Sequence, residues 1–222
     1  MKIGIPKAFL YFKYANLWES FFDSLGVDYI ISPDTNKSIV AKGSQLAVDE
    51  SCLSSKIYLG HVDWLRERCD RILVPRIASY GKAGTVCTRF QGVYDMVKNT
   101  YRDTGIDLLN YNIDLKNMEN EPVAFVRMGA ELGNRNRRSL FAYWNAKQAE
   151  KAGEMIAAKE QEKRLESDGI KILLIAHPYN VYDKYVGEPV INTMKRMGVV
   201  PILGCEADKR AALASFHDLS ET

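Results

Sequence analysis

The apolar positions of the chain follow two rhythms, short continuous runs and runs at helical spacing. Lys2-Ile3-Gly4-Ile5-Pro6 is a short apolar run that stops at a proline, the pattern of a buried strand. An aromatic segment, Phe9-Leu10-Tyr11-Phe12, comes next. Leu17, Trp18, Phe21, Phe22 and Leu25 then recur with helical period, and Gly26 supplies the stop. Val27-Asp28-Tyr29-Ile30-Ile31 reads as a second strand. Strand, helix and strand within about 30 residues predict a βαβ unit, hence a parallel sheet with a right-handed crossover. Ser32-Pro33-Asp34-Thr35-Asn36 is a turn containing a helix cap. Ile39, Val40, Leu46 and Val48 predict a weak helix interrupted by Gly43. From Asp49 to Arg68 the period is stronger, carried by Leu53, Ile57, Tyr58, His61, Val62 and Leu65. Arg71-Ile72-Leu73-Val74-Pro75-Arg76 predicts a third strand, followed by a loop with Gly81, Gly84 and Cys87. Val93, Met96, Val97 and Tyr101 predict another helix, and Gly105-Ile106-Asp107-Leu108-Leu109 a fourth strand.

From Pro122 to about Ser167 the rhythm becomes purely helical, with Phe125, Met128, Leu132, Leu140, Tyr143, Trp144, Met155 and Ile156. The Ala-, Glu-, Lys- and Gln-rich run after Lys147 favours helix, and its charges read as a solvated face. Ile170 to Ala176 (IKILLIA) is the clearest strand pattern in the chain. A helix with Val190, Ile191, Met194 and Met197, ended by Gly198, leads to a last strand, Val199-Val200-Pro201-Ile202-Leu203. The pattern predicts an α/β fold: a Rossmann-like parallel-sheet domain over residues 1–121, a helical connector over 122–168, and a short second α/β unit over 169–222. A single βαβ fragment leaves a sheet edge unpaired. Either that unit packs onto the first domain or the chain is a truncated form of something longer.

Composition narrows the function classes. The chain has 222 residues, 46% of them hydrophobic, enough to bury a core. Its 30 basic and 28 acidic residues give a net charge of +2. That near balance argues against a dedicated nucleic-acid binder, which needs a basic surplus. No apolar run approaches the roughly 18 residues of a membrane span. The start, MKIGIPKAF, is too short and mixed for a signal peptide, so a cytoplasmic location is the default expectation. Four cysteines in such a chain point to free, metal-binding or catalytic thiols before disulfides.

Doubly wound sheets build their sites at the carboxyl ends of the strands, which singles out some side chains. Cys52 opens the predicted helix after Asp49, where free N–H groups favour a thiolate. Cys87 lies in a post-strand loop with Lys82 and Arg89. Each thiol is either a ligand or nucleophile, or a small buried apolar side chain. Cys69, where a helix gives way to a strand, reads as packing, and Cys205 stays open between the two roles. His61 on its helix face reads as a satisfied core histidine. His177-Pro178-Tyr179-Asn180, ending a strand, is a candidate binding loop. There is no CxxC pair, no P-loop and no GxGxxG after a strand.

Several segments in the same order carry a resemblance: GIPKAFLYFKY, SPDTNK, AVDESCLSSKIYLGHV, ILVPR, CTRFQGVYDMV and IAHPYNVYDKYVGEPVINTMKRMGV. They are similar to acyl-CoA dehydratase activase-related proteins, within the superfamily of 2-hydroxyglutaryl-CoA dehydratase D-component-like and double-cubane-cluster proteins. The resemblance implies a cubane-type iron–sulfur cluster held by cysteines of α/β domains. It implies electrons from an actin-fold, ATP-hydrolysing activase. In dehydratase members one electron makes a ketyl radical of a 2-hydroxyacyl-CoA thioester; double-cubane members reduce small molecules. Cys52 and Cys87 match the first two ligand positions. Lys82, Arg89 and the loop with His177, Tyr179 and Asn180 become candidates for tuning the cluster or binding ligand. Where the family motif carries prolines, this chain has Leu53-Ser54 and Thr88, and Cys205 lies in no matching motif.

The leading expectation is an iron–sulfur electron-transfer or reductase component, related to 2-hydroxyacyl-CoA dehydratases and reduced by the activase. A homo- or heterodimer is compatible with it; nucleic-acid and membrane partners are not expected. The alternative is a cluster-free interaction or regulatory module that keeps the fold. A third option is a small-molecule binder using the His-Pro-Tyr-Asn loop.

Overall fold

The structure, a computed structural model, describes residues 1–79 and 86–206. Its first sheet has four parallel strands, β1 (Lys2–Ile5), β2 (Asp28–Ile31), β3 (Arg71–Ser79) and β4 (Asp107–Asp114), in the order β2-β1-β3-β4. Parallel strands need long return connections, and helices supply them. These are α1 (Tyr11–Leu25) after β1, α2 (Lys37–Leu46) and α3 (Leu53–Leu65) after β2, and α4 (Thr88–Gln91) and α5 (Val93–Thr100) after β3. Helices α6 (Glu121–Glu131) and α7 (Asn136–Glu166) follow β4. The fold is the α/β class that the alternating pattern predicts.

Both sheet faces are covered, which is why the strands read as continuous apolar runs. On one face Leu73, Leu109, Tyr111 and Ile113 pack against Leu17, Trp18, Phe21 and Phe22 of α1, Phe125 and Met128 of α6, and Tyr143 of α7. On the other face Ile72, Val74 and Leu108 meet Ile57, Tyr58, Val62 and Leu65 of α3, and Val93 and Val97 of α5. The helical stretch after residue 121 therefore supplies part of the first sheet's cover.

Some elements differ from the pattern. Strand β3 runs on to Ser79, and β4 begins at Asp107, because Gly105, with φ +65°, belongs to the turn before it. Polar letters in β4 (DLLNYNID) hide a strict alternation in which Leu109, Tyr111 and Ile113 point into the core. Gly43 does not interrupt α2. A Cβ there would fall 1.7 Å from the carbonyl oxygen of Lys56, and one at Gly60 would fall 2.1 Å from that of Ile39. These glycines let α2 and α3 cross backbone on backbone. Asn36 caps α2, its Oδ1 accepting from the N–H groups of Ser38 and Ile39 at 3.0 and 3.2 Å.

The second sheet pairs β5 (Ile170–Leu174) with β6 (Val199–Leu203), in parallel. Helices α8 (Pro178–Val181) and α9 (Gly187–Arg196) connect them. Ile202 and Leu203 are buried, and the Leu203 N–H donates to Gln161 of α7 at 3.0 Å. Strand β5 is not covered: Ile170 and Ile175 just beyond it are 71% and 81% exposed, and Ile172 and Leu173 are open as well.

Candidate functional site

The strand order reverses direction between β1 and β3, since the chain moves outward to β2 from one and to β4 from the other. Such a switch point leaves a crevice at the carboxyl ends of the strands. Here β1 and β3 pair only at Ile3–Arg71 and Gly4–Ile72, and β3 then continues alone on that side. Pro75, which lacks an N–H, falls where no β1 neighbour needs one.

Phe9 fills the crevice. Its φ of 49° is a left-handed conformation that a bulky residue adopts at a cost of about 1–3 kcal/mol. The ring stacks on Tyr58 of α3 at 5.0 Å and meets the edges of Phe90 of α4 (5.0 Å) and Tyr179 of α8 (5.7 Å). Phe90 and Tyr179 also touch, at 5.7 Å, and the His177 ring stacks on Tyr179 at 5.0 Å.

Both candidate thiols border this cluster. Cys52 is the N-cap of α3 and Cys87 the N-cap of α4, and both are exposed. Cys52 Sγ lies 3.2 Å from the Ser55 hydroxyl. Ser54 Oγ donates to Asn180 Oδ1 at 3.2 Å, tying the start of α3 to α8. The Tyr179 phenol is pushed up, first by burial and then by the charges of Cys87 and Cys52 when ionised. Helices α3 and α4, which carry the thiols 35 positions apart, both reach α8, through Ser54–Asn180 and Phe90–Tyr179. Cys52, Cys87, His177, Tyr179 and Asn180 are gathered at one end of the sheet. Arg89 lies half-buried in α4, two residues from Cys87, and Lys82 lies outside the described residues.

The other two thiols are built differently. Cys69 is half-buried against Gly4, where a Cβ would come within 2.5 Å of its sulfur, and it donates to the Leu65 carbonyl at 3.2 Å. Burial, aided by Asp70, pushes it up to about 11. Cys205 is pushed up by burial, and lies 3.7 Å from the Tyr182 hydroxyl.

Behind the aromatic cluster is a buried polar chain that the spacing of residues did not reveal. His61 is fully buried, with Nδ1 2.8 Å from Ser32 Oγ and Nε2 3.0 Å from Thr35 Oγ1. Burial first, and the Lys7 charge second, hold its imidazole down to about 3, against the opposing pull of Asp34. It is the satisfied core histidine that its helix face predicts. Thr35 donates in turn to Asp183, which lies between α8 and α9.

Among the described residues, no group of three or more His, Cys, Asp or Glu side chains is arranged to hold a metal ion. The donor type at the crevice nevertheless suits iron and sulfide, since exposed thiolates are the usual ligands of such clusters. Two thiols supply half of a four-ligand set.

A parallel α/β unit with two exposed thiols at its switch point, braced by a loop of a second α/β unit, defines the general class. More narrowly, the chain belongs to the family described as the CoA enzyme activase uncharacterised domain, whose model matches residues 2–204. Neither a curated protein nor a solved structure matches it. Among the described residues no helix is long and apolar enough to cross a membrane.

Proposed function

We propose that the chain is an iron–sulfur component of an activase-dependent system related to the 2-hydroxyacyl-CoA dehydratases. Cys52 and Cys87 would be thiolate ligands, and an actin-fold, ATP-hydrolysing activase the electron donor. The observation that carries this reading is the pair of exposed thiols at the starts of two separate helices, α3 and α4, both of which contact α8 through Ser54–Asn180 and Phe90–Tyr179. A bound cluster would supply one-electron transfer at low potential. The chain's own residues hold the first of these sulfurs in place, through Ser55 on Cys52 and the Ser54–Asn180 bond on the start of α3. Phe9, Phe90 and Tyr179 pack ring on ring at the same end of the sheet. Lys82 and Arg89 bring positive charge in sequence close to Cys87, which favours an anionic ligand. The remaining ligands come from outside the described residues or from a second polypeptide.

Anaerobic reconstitution with ferrous iron and sulfide tests this. Broad visible absorption, with stoichiometric iron and sulfide lost in both Cys52→Ala and Cys87→Ala, is expected. Absence of bound iron, or iron that survives both substitutions, overturns it. A second reading, an interaction or regulatory module without a cluster, is favoured by the uncovered apolar strand β5. Retention of activase by an iron-free chain would select it.

A further inference from the structure

The buried chain Ser32–His61–Thr35–Asp183 has only one consistent arrangement of protons. As a carboxylate Asp183 can only accept, and it does so from three directions. Its Oδ1 takes the N–H groups of Tyr185 and Val186 at 2.8 and 2.9 Å, and its Oδ2 takes the Thr35 hydroxyl. With its single proton spent on Asp183, Thr35 can only accept from His61, so Nε2 carries the hydrogen. A neutral imidazole then leaves Nδ1 as acceptor, and Ser32 donates to it. The Ser32 oxygen meanwhile accepts the backbone N–H of Lys7 at 2.8 Å. Every link runs the same way, from the loop after β1 to the turn between α8 and α9.

That turn is rigid. The Asp183 carbonyl accepts from Gly187 and Glu188 at 2.8 and 3.1 Å. A Cβ at Gly187 would fall 2.1 and 2.3 Å from the carbonyl oxygens of Val181 and Asn180, so the start of α9 lies directly on α8. What holds Asp183 therefore holds Tyr179 and Asn180. Outside the chain, Lys7 and Lys184 flank Asp34 at 2.5 and 3.4 Å. These more exposed ion pairs add little positional constraint.

We infer that His61, Thr35 and Asp183 are positioning residues: their one-directional hydrogen-bond chain fixes the α8 loop of the second unit against Phe9 and the two thiols of the first. Only one placement of the loop satisfies all members, since a buried chain with one unmet partner is strongly disfavoured. The significance of the loop for ligand chemistry rests on the function proposed above, but the inference concerns geometry and is tested on the full chain without iron.

Two measurements decide it. Nitrogen-15 NMR of the histidines, with the His61 signals identified by their loss in His61→Gln, should show a neutral ring with hydrogen on Nε2. In Asp183→Asn the amide turns an N–H toward Thr35 and frees the Thr35 proton to donate to Nε2, which draws the ring hydrogen toward Nδ1. Hydrogen exchange then reads the positioning. In Thr35→Val the amides of Tyr185 and Val186 should exchange about tenfold faster, the factor expected for losing one hydrogen bond to a charged group. Core amides of Leu73 and Leu109 should not change, and Thr35→Ser should restore the wild-type rates. An Nδ1–H ring in the wild type, equal acceleration in the core, or no rescue by serine overturns the inference. If Thr35→Val does not fold, the wild-type tautomer still decides: hydrogen on Nδ1 refutes the one-directional chain.

Discussion

Acid should weaken this protein through His61 before it reaches most carboxylates. The ring is fully buried and held at about 3, while in the unfolded chain a histidine titrates near 6.5. Between those two values the unfolded state binds a proton that the folded state refuses. Stability is thus complete above about pH 6.5 and falls as pH drops toward 3. At pH 5 the unfolded histidine is almost fully protonated, and the linkage relation gives a loss of about 2 kcal/mol relative to pH 8. For a chain of this size that corresponds to roughly 4–8 °C in Tm. Urea unfolding at pH 8, 7, 6 and 5, on the wild type and on His61→Gln, isolates the contribution. Glutamine keeps a donor and an acceptor but does not titrate. The variant should start less stable and lose about 2 kcal/mol less between pH 8 and 5, the other titratable groups contributing equally to both proteins. Parallel pH dependence in the two proteins would refute the argument, because His61 would then not be excluded from protonation.

Other substitutions test the packing. Gly43→Ala should separate α2 from α3 and lower Tm by several degrees, since the new methyl meets the Lys56 carbonyl and not a side chain that could turn away. Tyr58→Phe should raise stability by about 1 kcal/mol in urea unfolding, because the Tyr58 hydroxyl is buried without a hydrogen-bond partner. Asn36→Ala removes the α2 cap and should cost about 1 kcal/mol by the same assay. In mass-spectrometric alkylation at pH 7.5, Cys52 and Cys87 should react early and Cys69 last, given its burial and its raised thiol. Equal rates at Cys69 and Cys52 would contradict that placement.

The strands and helices of the first sheet were legible because apolar runs there lie on both faces of one layer, as with Ile72, Leu73 and Val74. Gly43 was not: its letter reports a missing side chain, while the reason for it is a carbonyl thirteen positions away. The thiols stood out as chemistry at helix starts. What surrounds them did not, because the Ser54–Asn180 and Thr35–Asp183 bonds join positions 126 and 148 apart, and no local period encodes such a meeting. Phe9 read as one more aromatic near the start. Its role depends on a backbone angle that composition does not reveal.

Strand β5 has a consequence for handling the chain. Apolar on both faces and, among the described residues, paired only with β6, it presents a free backbone edge beside sticky side chains. Lys171 is the sole charge within its five residues. In a concentrated preparation this short segment is the place where molecules would adhere and where a dye such as ANS would fluoresce. A second lysine at Leu173 would act as a gatekeeper there, leaving the crevice at the far sheet untouched.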